Sequence, residues 1–103
     1  MAIAKREPYT VVIADDHDIV RAGLKAALEA PGVVEDGGLR VVAEAENGFE
    51  TLAAVKEHQP DLLLLDLTMP LAGGAEVLTD LRRWSPETKV VVFSSVTAGG
   101  TLC

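Results

Sequence analysis

The stretch Pro60-Asp61-Leu62-Leu63-Leu64-Leu65-Asp66-Leu67-Thr68-Met69-Pro70 decides how the rest of the chain is read. Four consecutive leucines, bracketed by Pro60-Asp61 and Asp66, form an uninterrupted apolar run. Such a run reads as a central strand buried on both faces of a sheet. Similar runs lie on either side of it. Tyr9-Thr10-Val11-Val12-Ile13-Ala14 is rich in β-branched residues and ends abruptly in Asp15-Asp16-His17-Asp18. Lys89-Val90-Val91-Val92-Phe93 follows the helix-breaking Ser85-Pro86. In Leu39-Arg40-Val41-Val42-Ala43-Glu44-Ala45 the apolar residues alternate with charge, as in an edge strand.

The intervening stretches read as helices. Val20, Leu24, Ala27 and Leu28 share one helical face, with Arg21, Lys25 and Glu29 largely opposite, until Pro31-Gly32 stops the pattern. A loose segment runs from Val33 to Gly38. Asn47-Gly48 turns the chain into a second helix marked by Phe49, Leu52, Ala53 and Val55, running to about His58. A loop from Thr68 to Gly74 leads to a third, marked by Val77, Leu78 and Leu81 and ending near Trp84. The order β-α-β-α-β-α-β predicts an α/β domain with a parallel sheet and right-handed crossovers. The tail 96–103, with its Gly99-Gly100 pair, carries no helical face and reads as irregular.

The chain has 103 residues, of which 49% are hydrophobic, enough for one domain (1–103) with a single core and too few for two. Sixteen acidic residues against nine basic ones disfavour a direct grip on nucleic acid. Four aromatics provide no stacking platform for single strands. A lone cysteine, Cys103, rules out an internal disulfide and a cysteine-based zinc site. The first eight residues are too short and charged for a signal peptide, and no apolar run is long enough to span a bilayer. The expectation is a cytoplasmic protein without membrane contact.

In open α/β sheets ligands collect beyond the carboxyl ends of the strands. Those ends carry Asp15 and Asp16 after the first strand, Asp66 after the third and Ser94 after the fourth. Three carboxylates converging from two strands repel one another unless a cation neutralises them. An all-oxygen donor set favours Mg²⁺ or Mn²⁺. A carboxylate beside such a cation can attack a phosphoryl group to give an aspartyl phosphate, with the Ser94 hydroxyl donating to its oxygens. Simpler roles stand beside these: Asp15-Asp16 as a helix N-cap pair, Asp66 as a loop residue and Ser94 as a strand end. His17 reads as a loop residue near the pocket, His58 as a solvated helix end, Met69 and Trp84 as packing, and Cys103 as a tail thiol.

Three blocks together resemble the receiver domain of bacterial two-component response regulators: Val12-Ile13-Ala14-Asp15-Asp16-His17, Asp61 to Pro70 with Gly73-Gly74, and Val90-Val91-Val92-Phe93-Ser94. Arg21-Ala22-Gly23-Leu24 and Pro86-Glu87-Thr88-Lys89-Val90 look most like the subgroup that usually carries a C-terminal helix-turn-helix. The resemblance covers about Tyr9 to Ser95. It implies a flavodoxin-like doubly wound sheet of strand order 2-1-3-4, with Asp66 as phosphoacceptor for a histidine kinase or phosphotransfer protein. It also implies Asp15, Asp16, Asp66 and the backbone carbonyl of Thr68 as Mg²⁺ ligands, and Ser94 as the switch hydroxyl. In this family a further helix, a lysine-bearing fifth strand and a final helix follow; this sequence stops before them, and Lys89 is not that lysine. An alternative follows, in which a truncated, phosphorylation-impaired receiver acts as a homodimeric interaction module through the exposed fourth-strand edge or tail. A haloacid-dehalogenase-like phosphohydrolase typically has a second aspartate two places after the nucleophile, where this chain has Thr68.

Overall fold

The computed structural model describes residues 8–31, 38–69 and 74–93. Within them lie β1 (Tyr9–Ala14), α1 (Asp18–Leu28), β2 (Leu39–Ala45), α2 (Gly48–His58), β3 (Leu62–Asp66), α3 (Gly74–Trp84) and β4 (Lys89–Phe93). The four strands are parallel and ordered β2-β1-β3-β4, the expected order. β2 is an edge, as its alternating charge suggested. Ser94, the tail 96–103, the first seven residues, 32–37 and the loop positions 70–73 lie outside the described residues.

β-Branched and aliphatic residues make the centre of the sheet. Val11, Val12, Ile13 and Ala14 of β1 are all fully buried, as are Leu63 and Leu65 of β3. Val12, Ala14, Leu63 and Leu65 form one core with Val55 of α2, Val77 and Leu81 of α3, Ala45 and Met69. Side chains alternate across a strand, so Leu62 and Leu64 point to the opposite face. There they are only partly buried, a departure from the expectation that β3 is covered on both sides. The cause is helix placement, because α1 packs against β1 and β2.

The helices depart from their sequence patterns at several further residues, Leu78 of α3 among them at 40% exposed. Ala27 of α1 and Ala53 of α2 are exposed, and Phe49 is 78% exposed. α2 turns Gly48, Thr51 and Val55 inward instead, a spacing of three and then four residues. Arg21, expected on the solvent face of α1, is buried. Its reason is electrostatic: Asp18 of α1 and Glu44 of β2 gather around the guanidinium.

The helix ends are fixed locally. Asn47 caps α2 by accepting from the Glu50 N–H at 2.9 Å, while Glu50 accepts from the Glu46 N–H at 2.9 Å. Gln59, in the left-handed region at φ 44°, ends α2 and donates from its side chain to the Trp84 carbonyl at 3.0 Å. Trp84 also packs under Lys56, whose Nζ lies 4.5 Å from the ring centre, and Met69 lies in the core, in keeping with packing roles for both. Ser85, which ends α3, is buried and hydrogen-bonded to Gln59 Oε1 at 3.2 Å.

Leu63→Ala is expected to destabilise the protein by about 2–5 kcal/mol, since it opens a cavity in the shared core. Phe49→Ala is expected to stay within about 0.5 kcal/mol of wild type. Urea unfolding followed by circular dichroism checks both; equal losses for the two variants would contradict this core.

Candidate functional site

The sheet pairing determines which acidic residues meet. β1 and β3 run in register with Ala14 beside Leu65, so the next residues, Asp15 and Asp66, leave the sheet side by side. The strand order reverses between these two strands, with β2 on one side and β4 on the other. That is the crevice where open α/β sheets bind ligands. Asp15 and Asp66 are fully buried, whereas Asp16 is exposed.

The loop after β1 is held by its own hydrogen bonds. The Asp15 N–H donates to the Ala45 carbonyl at 2.9 Å, tying the loop to the end of β2. Asp15 Oδ1 accepts from the His17 N–H at 2.8 Å. The N-cap position of α1 is therefore His17, whose side chain makes no cap hydrogen bond, and not the Asp15-Asp16 pair. His17 Nδ1 lies 2.9 Å from Asp15 Oδ1 and 3.0 Å from Asp16 Oδ1. Ligand atoms of Asp15, Asp16, His17 and Asp66 all lie within 4.8 Å of one another. So the structure brings together the three expected carboxylates and adds His17.

Asp66 is oriented by Thr68. The Thr68 N–H donates to Asp66 Oδ1 at 2.9 Å, and its hydroxyl reaches Oδ1 at 2.8 Å and Oδ2 at 2.9 Å. Sequence reasoning assigned Thr68 only a backbone carbonyl role and missed its side chain. The two-residue spacing from Asp66 to a hydroxyl residue was the available signal.

One atom points to a cation. Asp15 Oδ2 is buried and has no hydrogen-bond partner among the described residues. A buried carboxylate oxygen without a partner is costly, and a hard divalent cation among oxygen donors removes that cost. The acidic set therefore fits a divalent metal.

Arg21 is a further residue that sequence reasoning missed. Its Nη1 donates to the Asp15 carbonyl at 2.6 Å and its Nε to Glu44 Oε1 at 2.9 Å, while Nη2 pairs with Asp18.

The His17 imidazole is held above its usual pKa, first by the hydrogen bond to Asp15 and then by the charges of Asp16 and Asp66, against an opposing effect of burial. A raised native pKa gives stability that is fully present below the unfolded value of about 6.5 and is lost as pH rises through the native value. In metal-free protein, the melting-temperature advantage of wild type over His17→Gln is thus expected to be largest near pH 6 and to shrink at higher pH. An advantage that grew with pH would contradict the ion pair.

Residues 11–100 match the family profile described as the response regulator receiver domain. The nitrate/nitrite response regulator NarL of Escherichia coli strain K12 is 39% identical over 93 residues, 89% of this chain and 40% of that protein. Response regulator GacA of Pseudomonas viridiflava is 41% identical over 84 residues, 82% of this chain and 37% of that protein. The chain thus spans about two-fifths of these relatives. Among solved structures, the signal receiver domain of the putative response regulator NarL from Mycobacterium tuberculosis superposes with a TM-score of 0.74 at 35% identity, covering 91% of this chain and 72% of that one. A chain of the crystal structure of the P1 domain of CheA3 in complex with CheY6 from R. sphaeroides superposes with a TM-score of 0.72 at 32% identity, covering 93% of this chain and 70% of that one.

Proposed function

This chain belongs to the response regulator receiver domain family of two-component signalling, and we propose that Asp66 is its phosphoacceptor. The observation that carries the proposal is the pairing of β1 with β3, which sets a buried Asp66 beside a buried Asp15 whose Oδ2 has no partner among the described residues. In the transfer, an Asp66 carboxylate oxygen forms the new bond to phosphorus. The bond from phosphorus to the donor breaks, and its electron pair leaves with the donor. With a phosphohistidine donor this is a P–N bond, and the departing imidazole takes up a proton.

Each neighbouring residue has a role in this proposal. Thr68 orients the Asp66 carboxylate through its N–H and hydroxyl. Asp15, Asp16, Asp66 and the Thr68 carbonyl would hold Mg²⁺, or Mn²⁺ in its place, and the bound ion would neutralise charge on the phosphoryl oxygens. Ser94 follows β4 directly in sequence and is proposed as the hydroxyl that donates to the phosphoryl group. The chemistry extends to self-phosphorylation and dephosphorylation at Asp66 and to no other turnover.

The proposed donor is a sensor histidine kinase or a phosphotransfer protein in the cytoplasm. The excess of sixteen acidic over nine basic residues supports protein partners over direct contact with nucleic acid. No described helix is long and apolar enough to cross a membrane. Residues 1–103 are proposed to act as one receiver unit, in line with the profile match over 11–100. Pairing of two copies along β4 is also proposed, supported by Val91 and Val92, 48% and 45% exposed on the strand that lies outermost among the described residues. Light scattering at micromolar concentration is expected to report a dimer, and a monodisperse monomer would contradict that pairing.

Incubation with acetyl phosphate and Mg²⁺, followed by intact-mass measurement, tests the central assignment. Wild type is expected to gain the mass of one phosphoryl group. Asp66→Asn is expected to gain none, and Asp15→Asn to gain it at least ~10-fold more slowly. A wild type that stays unmodified, or an Asp66→Asn that gains the same mass, would overturn it.

A further inference from the structure

We infer that Arg21 is a positioning residue for the cation pocket: its guanidinium holds the main chain at Asp15 so that the Asp15 carboxylate stays aimed into the pocket. This rests on the reading of Asp15 as a cation ligand. Arg21 reaches Asp15 at its carbonyl oxygen. It acts through the backbone.

The geometry is specific. The Arg21 side chain is 9% exposed, and its guanidinium donates in three directions at once. Nη1 reaches the Asp15 carbonyl at 2.6 Å, Nε reaches Glu44 Oε1 at 2.9 Å, and Nη2 pairs with Asp18, with Glu46 Oε2 3.6 Å away. These partners come from the loop after β1, from β2 and the residue that follows it, and from the first turn of α1. The Asp15 N–H is separately tied to the Ala45 carbonyl. Asp15 is therefore pinned on both sides, its N–H to the end of β2 and its C=O to Arg21. With the peptide fixed and Oδ1 accepting from the His17 N–H, Oδ2 is the oxygen left to face the pocket. Only a planar fork with several fixed donors serves a carbonyl and two carboxylates together; a lysine ammonium is a single point of charge.

Charge alone predicts the opposite of positioning. A cation next to a metal pocket repels the metal, so removing it should tighten metal binding. Removing the guanidinium would leave Asp18, Glu44 and Glu46 unneutralised beside the pocket, which by charge alone favours a cation further. Loss of its hold on Asp15 acts in the opposite direction. The sign of the change in metal affinity thus separates the two roles.

The test uses the full chain with Mn²⁺ as probe, titrated by electron paramagnetic resonance, and Arg21→Met, which keeps an apolar stem and removes the fork. Arg21→Lys, which keeps the charge, is the second variant and guards against a failure of Arg21→Met to fold. Binding is expected to weaken about 10-fold or more in Arg21→Met and several-fold in Arg21→Lys, the range seen when groups that orient metal ligands are removed. A second readout needs no metal. In chelator-treated protein, amide exchange at Asp15 and His17 is expected to accelerate about 10-fold in both variants while Val12 and Ile13 stay protected. Unchanged or tighter Mn²⁺ binding in the variants would overturn the inference, as would uniform acceleration across β1 or none at all. If wild type takes up no Mn²⁺, the assignment of Asp15 as a cation ligand fails separately, and local acceleration at Asp15 and His17 still decides whether Arg21 positions that residue.

Discussion

Everything at the site depends on the parallel pairing of β1 with β3 at the middle of the sheet. The register that sets Ala14 beside Leu65 also sets Asp15 beside Asp66, two carboxylates taken out of water one residue past the last apolar pair. A shift of one residue would turn the strand's side chains over and carry Val12, Ala14, Leu63 and Leu65 out of their common core. The apolar packing on α2 and α3 therefore holds in place a juxtaposition that electrostatics opposes. Core stability and site geometry are set by the same hydrogen-bond ladder.

The cost of that juxtaposition is met in different ways by each carboxylate. Asp66 has Thr68 donating to both oxygens. Asp15 uses Oδ1 for the loop and His17 and keeps Oδ2 without a partner among the described residues. Asp16, more exposed, is solvated and shares His17. When protonated, the imidazole offers a positive charge to Asp15 and Asp16. The asymmetry between the two buried aspartates suits a division of labour, with one carboxylate oriented by donors and the other open to a cation.

Much of this was legible in the sequence because each signal was local. The leucine run of Leu62 to Leu65, the β-branched run before Asp15-Asp16 and the helix stops at Pro31 and Ser85-Pro86 gave the element order, and strand-end position gave the three aspartates. What escaped was long-range. Arg21 was assigned to solvent because helical periodicity treats a charge as an outward residue; its burial depends on Glu44 and Glu46, more than twenty positions away. Phe49 counted as an apolar marker of α2, yet the helix turns Thr51 and Val55 inward. The leucine run predicts cover on both faces, but Leu62 and Leu64 are only partly buried, because coverage depends on where α1 lies across the sheet. The Thr68 hydroxyl is within local reach of Asp66, two residues away, and its contact is the kind of signal a sequence can carry.

The claim that the buried aspartates form a cation site is tested most directly by thermal melting of wild type and Asp15→Asn across a Mg²⁺ titration. A ligand that binds only the folded state stabilises it by about 2.7 kcal/mol at one hundred times its Kd. Wild type is predicted to show a saturable rise in melting temperature of several degrees, and Asp15→Asn to show little or none. A wild-type melting temperature indifferent to Mg²⁺, or an equal rise in Asp15→Asn, would contradict the claim.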